Sequence, residues 1–598
     1  MDVEDSVPAS SGRAGPGRAG PGSASSGRAS SGRASPGRAS SGRASSGGAP
    51  SAGYVVAIDL GTGGPKAAVV SADGRIIASA FEPVGLDLLE GGGAEQDPEE
   101  WWRASSSAVR EALSRSGVSP GQVAGIGCTA QWSGTVAADA GGNPLRPAVI
   151  WMDSRGAGPI GRQMRGTLNV LGYGVTKVQR WLRLTGGAPG HSGKDPVAHI
   201  LWIREAEPDT YRATHTFLEP VDWLNHRLTG RFVSSHDAIT LHWVTDNRRR
   251  ERIDYDAKLL RAAGLERGKL PDLVPSASLI GGLTERAAMD LGLREGTPVA
   301  SGTGDVHSAA VGSGAVEDYQ AHIYIGTSSW ISCHLPFKRT DVMRNVASIP
   351  AAIPGRYIVA DEHETAGACL TFLKDSLIFG DDGLGAGIPG SGAPADFYAR
   401  LDQVAASVPP GAGGVIFTPW LNGERSPVDD HTIRAGFHNL SLSTTRSEMV
   451  RAVFEGVAYN SRWLLGAVER LARRPFEEIT FVGGGARSAL WCQIHADVMG
   501  RRILQADQPV LANARGAAYL TLLALGRIGV EDIPSMVPIA AVYDPDPENH
   551  RSYGASYQEM VNLYRATKAI HRRLNGRPHP GGAASGANAG ELTEQERS

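Results

Sequence analysis

The chain of 598 residues is 41% hydrophobic and 20% charged, with a formal net charge of -3 and a mean hydropathy of -0.19. These values fit a globular protein of more than one domain and argue against a disordered or membrane-embedded class. Glycine is the outlier at 77 residues, nearly twice the usual share of about 7%; only 16 of them lie in the two polar ends, so the middle of the chain calls for close backbone approaches.

Residues 1–52 come first. Within them a Ser-Gly-Arg-Ala unit repeats, with Arg28, Arg33, Arg38 and Arg43 every five residues. The segment lacks the large apolar side chains that would offset its conformational entropy. A disordered tail is the expectation there, with a phosphorylatable or anion-binding arm as the lesser reading. It has no apolar core of a signal peptide. Residues 575–598 read as a second disordered tail. Without the two ends the chain carries about -5, which leaves no nucleic-acid footprint. Cys128, Cys333, Cys369 and Cys492 show no framework spacing and no CxxC, so they read as free thiols of a reducing, cytoplasmic compartment. No apolar run approaches the 18 residues or more of a bilayer span.

From Tyr54 the pattern changes. Tyr54-Val55-Val56-Ala57-Ile58 is an apolar run ending in Asp59, followed by the turn residues Gly61, Gly63 and Gly64. Ala67 to Val70 and Ile76 to Ala78 make a second and third strand around the hairpin signal Ala72-Asp73-Gly74. Three such strands predict a meander at one side of an α/β sheet. Further on, Thr445-x-x-Glu448 is a capping box before an apolar stripe through Met449, Val453 and Val457. Leu490, Ile494 and Val498 mark one face of a helix after the glycine run 483–485.

An internal echo ties the halves together. Ile58-Asp59-Leu60-Gly61-Thr62-Gly63 matches Ile323-Tyr324-Ile325-Gly326-Thr327-Ser328, 265 residues on. Two strand–turn elements of one kind, one per half, predict two related lobes facing a shared cleft. Such turns can cradle phosphate, because glycine lets backbone N–H groups converge on an anion and threonine adds a hydroxyl donor. Asp59 is placed either to hold hydrated Mg²⁺ or to cap the strand end. Val299 to Asp305 runs a strand into Gly302-Thr303-Gly304 and presents one carboxylate, a reactive group or an Asx-turn residue. Gly483-Gly484-Gly485-Ala486, between strand and helix, forms a side-chain-free wall on which a planar ring can lie. Common alternatives fail. The stretch Gly187 to Lys194 lacks a Walker pattern, and no GxGxxG after a strand, GxSxG, HExxH or Cys/His metal cluster exists.

Over roughly residues 54–570 the chain resembles the FGGY carbohydrate kinases, of the sugar kinase/actin/Hsp70 (ribonuclease H-like) α/β fold, and looks most like the xylulokinase-like branch. The landmarks are Asp59-Leu-Gly-Thr-Gly-Gly64, Glu95-Gln-Asp-Pro-Glu-Glu-Trp-Trp102, Trp151-Met-Asp153-Ser-Arg155, Gly304-Asp305, Gly326-Thr-Ser328, Gly423-Glu-Arg-Ser-Pro427 and Gly483 to Gln493. The resemblance implies an N-terminal sugar-binding and catalytic domain over 53–315 and a C-terminal nucleotide-binding domain over 316–574. It implies ATP with Mg²⁺, and Asp305 as catalytic base. Gly61, Thr62 and Gly63, with Gly326, Thr327 and Ser328, match the phosphate loops. Gly483, Gly484, Gly485 and Ala486 match the adenosine loop, and Asp59 a water-mediated Mg²⁺ contact. The small-molecule sugar falls to Gln131, Trp132, Ser133, Asp153 and Asp305. A pentulose such as xylulose is the foremost acceptor. Glycerol, erythritol, gluconate or ribulose are the alternatives, and a non-catalytic sugar sensor stands behind them. A homodimer is left open; nucleic acid and membrane partners are not expected.

The chain departs from the family at the sugar. Xylulokinases carry Gln-Met-His where this chain reads Gln131-Trp132-Ser133, so Trp132 either stacks on a sugar face or fills the core. Val306-His307 follows Asp305 where relatives often have Asn; His307 reads as structural rather than as a substrate contact. Pro65 stiffens the first loop.

Overall fold

The structure is a computed structural model that describes residues 53–170, 172–379 and 393–575. Expectations for residues 1–52 and for the end beyond Asn575 lie outside the described residues. The apolar run at the start forms β1 (Tyr54–Gly61), and it is apolar throughout because both its faces are covered. Val56, Ile58 and Leu60 join a core with Trp101, Ala108 and Val109 of α1 (Pro98–Ser116). Val55 and Ala57 face the other way, onto the helix Ala512–Ala524. Helix α1 starts where Asp97 accepts the Glu99 N–H and Pro98 takes the first turn, and stops at the left-handed Gly117.

The predicted meander is present. β1 pairs antiparallel with β2 (Gly64–Ser71), and β2 with β3 (Ile76–Phe81). On its other side β1 runs parallel to Val123–Ala130. Leu279–Gly282, Pro298–Ala300 and Thr303–Gly304 complete a seven-stranded sheet. A second, nine-stranded sheet repeats the plan. The hairpin Ala321–Ile325/Ser329–Leu335 is antiparallel, and its first strand runs parallel to Glu478–Val482. The loops at 61–64 and 326–328 therefore occupy matching corners of two sheets, as the sequence echo predicts.

The helix Arg446–Ala472 begins with the expected reciprocal cap, Thr445 receiving the Glu448 N–H and Glu448 the Thr445 N–H. Val453 and Val457 are buried and Met449 half-buried. In Ala489–Met499, Ile494 and Val498 are buried and Leu490 half-buried. The joint between the lobes is made by two helices. Ala512–Ala524 packs on the first sheet, while Asp305–Gly312 reaches strands of the second. They cross so closely that a Cβ on Gly312 would overlap the Ala512 carbonyl, and one on Gly516 the Ser308 carbonyl. Ser308 Oγ adds a hydrogen bond to the Asn513 carbonyl at 2.7 Å. The four cysteines are buried and unpaired, and burial pushes the Cys128 thiol up to about 12. Among the described residues no helix is long and apolar enough to cross a membrane.

Candidate active site

β1 delivers Asp59 and then turns through Gly61-Thr62-Gly63 into β2. Gly64 carries φ +136°, and a side chain there would collide with the Glu82 carbonyl, so only glycine closes this turn. A Cβ at Gly63, by contrast, would meet nothing within 4 Å. The loop thus leaves its outer side open. Thr62 is oriented by its neighbours. Its Oγ1 donates to Gln131 Oε1 at 3.1 Å and accepts from Trp151 Nε1 at 3.0 Å. Gln96 Nε2 donates to the Thr62 carbonyl at 2.8 Å, and Gln131 Nε2 to Gln96 Oε1 at 2.7 Å.

Asp59 is 2% exposed. Its Oδ2 lies 3.6 Å from Lys66 Nζ, whereas its Oδ1 is buried without a hydrogen-bond partner. A carboxylate oxygen left unpaired in such surroundings is costly unless a cation or its water shell completes it. The residues present fit a hydrated divalent ion. Asp305 opens its helix at the N-terminus, and Oδ1 accepts the Val306 N–H at 2.9 Å. Enclosure by protein first, and the Asp59 charge second, raise its carboxyl to about 7.

The second loop is braced from behind. The Gly326 carbonyl accepts the Gly367 N–H at 2.9 Å, and the Thr327 carbonyl accepts the Ala366 and Ala368 N–H groups at 2.9 and 3.1 Å. Thr327 itself is exposed and Ser328 half-buried. Gly483 sits at φ +88°, where a Cβ would lie 2.6 Å from the Ile325 carbonyl. That contact sets the third loop directly beside the second. Lys66, Gly326, Thr327, Gly484, Gly485 and Ser488 line one cleft of about 2220 Å³. Ala486 is buried behind it. Lys66 connects this cleft to Asp59.

The residues read as sugar contacts lie deeper. Trp132 is 8% exposed; its Nε1 donates to the Ala238 carbonyl at 2.8 Å, and its ring meets His307 edge-on at 4.8 Å. Its ring also backs onto Gly304, beside Asp305. His307 is buried, with Nε2 at 3.1 Å from the Pro350 carbonyl, the structural place expected for it. Ser133 has φ +67° and gives its hydroxyl to the Lys194 carbonyl at 2.8 Å. Asp153 accepts the Arg155 N–H and Nε at 2.9 and 2.8 Å and the Ala94 N–H at 2.9 Å. Gln131 is 2% exposed within the Thr62 network.

Sequence reasoning missed three contributors. Lys66 is a cation inside the otherwise apolar run of β2, which was a usable signal. Gln96 and Trp151 stand inside quoted motifs, yet nothing in their spacing indicates that both meet Thr62. A further tie crosses between the lobes: Lys194 Nζ reaches Glu364 at 3.2 Å, and Arg425 binds both Glu364 and Glu362.

Comparison with known proteins gives the family and the fold. Residues 54–312 match the N-terminal domain, and residues 321–525 the C-terminal domain, of the FGGY family of carbohydrate kinases. A xylulose kinase of Staphylococcus epidermidis is 29% identical over 525 residues, covering 86% of this chain and 97% of its own. The crystal structure of a xylulose kinase from Rhodospirillum rubrum superposes with a TM-score of 0.72 at 25% identity, covering 87% of this chain and all of that one. A gluconate kinase structure from Lactobacillus acidophilus shares the fold, with a TM-score of 0.75 at 20% identity over 88% of this chain and all of its own.

Proposed function

The chain belongs to the FGGY family of carbohydrate kinases and so phosphorylates an alcohol group of a sugar with ATP as donor; within that activity, we propose that the acceptor is a pentulose such as xylulose and that Asp305 is the base. The observation that carries the reading is the placement of Asp305 at the start of a helix that joins the lobes, with its carboxyl raised to about 7 by enclosure and by the Asp59 charge. A carboxyl with a pKa close to working pH is suited to take a proton from an attacking hydroxyl. The pentulose is supported by the relatives named xylulose kinase over most of the chain.

In this reading Gly61, Thr62 and Gly63, with Gly326, Thr327 and Ser328, turn backbone N–H groups and hydroxyls toward the phosphates, and Lys66 adds a positive charge. Gly483, Gly484, Gly485 and Ala486 offer a flat wall to the adenosine. Asp59 holds Mg²⁺ through water. When bound, the ion screens phosphate charge that would otherwise repel the attacking oxygen. Gln131, Trp132, Ser133 and Asp153 enclose the sugar beside Asp305: Trp132 walls the site behind Gly304, and Asp153 holds the adjoining segment through Arg155. The free, buried thiols support a cytoplasmic enzyme.

The test is ADP release over pentuloses, hexuloses, glycerol, erythritol and gluconate, with Asp305→Asn beside the wild type. Turnover is expected first on a pentulose and lost in the variant, with ATP binding kept. Turnover by Asp305→Asn at the wild-type rate removes the assigned base, and a preference for gluconate or glycerol replaces the assigned acceptor.

A further inference from the structure

Tyr324 stands in the second lobe where Asp59 stands in the first. Each residue lies two positions before the leading glycine of its loop, Gly326 and Gly61 respectively. Each sits on the central strand of a hairpin that also runs parallel to a third strand. Side chains alternate along a strand. Ile58 and Leu60 enter one lobe's core and Ile323 and Ile325 the other's, so Asp59 and Tyr324 point away from those cores.

The phenol is held firmly. Its ring stacks on Trp330, its directly paired neighbour, at 4.0 Å between centroids and 5° between planes. Trp330 is itself fixed, with Nε1 donating to His322 Nε2 at 3.2 Å. The ring lies along the phosphate loop: a Cβ added to Gly326 would stand 2.8 Å from Tyr324 Cε1 and 3.3 Å from its hydroxyl oxygen. That hydroxyl makes no hydrogen bond to any described residue, and Tyr324 is half-buried. A phenol hydroxyl without a protein partner beside the loop is available to donate to a ligand. Enclosure by protein first, and the charges of Asp59 and Asp305 after it, hold the phenol well above its ordinary pKa and keep it a donor.

We propose that the Tyr324 hydroxyl donates a hydrogen bond to a non-bridging oxygen of the nucleotide's terminal phosphate, as the second lobe's counterpart to Asp59. This rests on the kinase reading above. No bond is made or broken at the tyrosine. Its donation offsets negative charge on the phosphoryl group as the sugar hydroxyl attacks and ADP departs. It makes Tyr324 a contact to the transferred group rather than a packing residue.

Tyr324→Phe tests this, since it keeps the stack on Trp330 and removes one oxygen. Two readings are taken on the full chain. The first is the dissociation constant of a non-hydrolysable ATP analogue against that of ADP, which needs no sugar. The second is kcat and the KM for the sugar on whichever acceptor turns over. Loss of one hydrogen bond to a charged group predicts a roughly ten- to hundredfold fall in kcat. The KM for the sugar should stay within about twofold, and the analogue should weaken at least about fivefold more than ADP. Equal affinities for both nucleotides relative to wild type, or an equal weakening of both, overturn the proposal. If Asp305→Asn keeps wild-type turnover while Tyr324→Phe still discriminates the analogue from ADP, the assignment of the base has failed and the tyrosine contact has not.

Discussion

The negative charge of Asp59 adds to the effect of enclosure on Asp305, and together they lift the Asp305 carboxyl to about 7. Two acids drawn to one spot, one left with an unpaired oxygen beside Lys66 and the other held near neutrality, divide the work. One suits a cation and the other a proton.

The first consequence is in the rate. If Asp305 works ionised, kcat/KM for the sugar should rise about tenfold per pH unit below the inflection and level above it. The inflection is expected near the raised value of about 7. A pH–rate profile checks it, and a flat profile between about pH 5 and 8 contradicts the assignment.

The second concerns stability, with the opposite sign. A carboxyl whose pKa is raised in the folded protein favours folding while it stays protonated. That contribution is present in full below the unfolded value of 3.8 and is lost as pH rises through about 7. Asp305→Asn should therefore match the wild type at about pH 4 and exceed it at about pH 8 by roughly 4 kcal/mol. Denaturant midpoints at the two pH values decide the matter; a variant that loses stability as pH rises relative to wild type counts against it.

Asp59 leads to a prediction about metal. Chelation by EDTA should abolish turnover and excess Mg²⁺ restore it. Asp59→Asn should lower kcat by about a hundredfold or more and move half-saturation to higher Mg²⁺. Titration of the rate with Mg²⁺ reads both quantities. An unchanged Mg²⁺ dependence would place the ion elsewhere.

The lobe joint is tested at Gly516. Alanine there meets the Ser308 carbonyl, which the backbone of the neighbouring helix cannot move aside cheaply. Overpacking of this kind costs about 1–3 kcal/mol. Because the displaced helix begins at Asp305, kcat should fall with stability. Gly312→Ala should behave alike. The double variant should cost less than the two singles together, since either one already parts the helices. Equilibrium unfolding and kcat on the three variants are the measurements.

Much was legible along the chain because it depends on near neighbours. Val55 to Ile58 form a strand by composition, Gly64 closes a turn no other residue closes, and Thr445 caps its helix through Glu448, three residues on. The match of residues 58–63 with 323–328 exposed the duplication, since a repeated local pattern folds into a repeated corner. Family likeness then named Asp305 and the glycine loops.

What the chain by itself did not determine is which distant groups meet. By residue type alone Trp132 suits a sugar platform or a core position equally; its ring fills the space between Gly304, His307 and the Ala238 carbonyl. Ser133 and Asp153, expected at the sugar, are bound in the packed chain by Lys194, Arg155 and Ala94. Trp151 reaches Thr62 across 89 positions, and Gly312 meets the helix at 512–524 from the other lobe. Local sequence determines backbone form, because turn, strand and cap energies act over a few residues. The meeting of Asp59, Lys66, Asp305 and Tyr324 comes from sheet register and helix crossing, which only the packed chain decides.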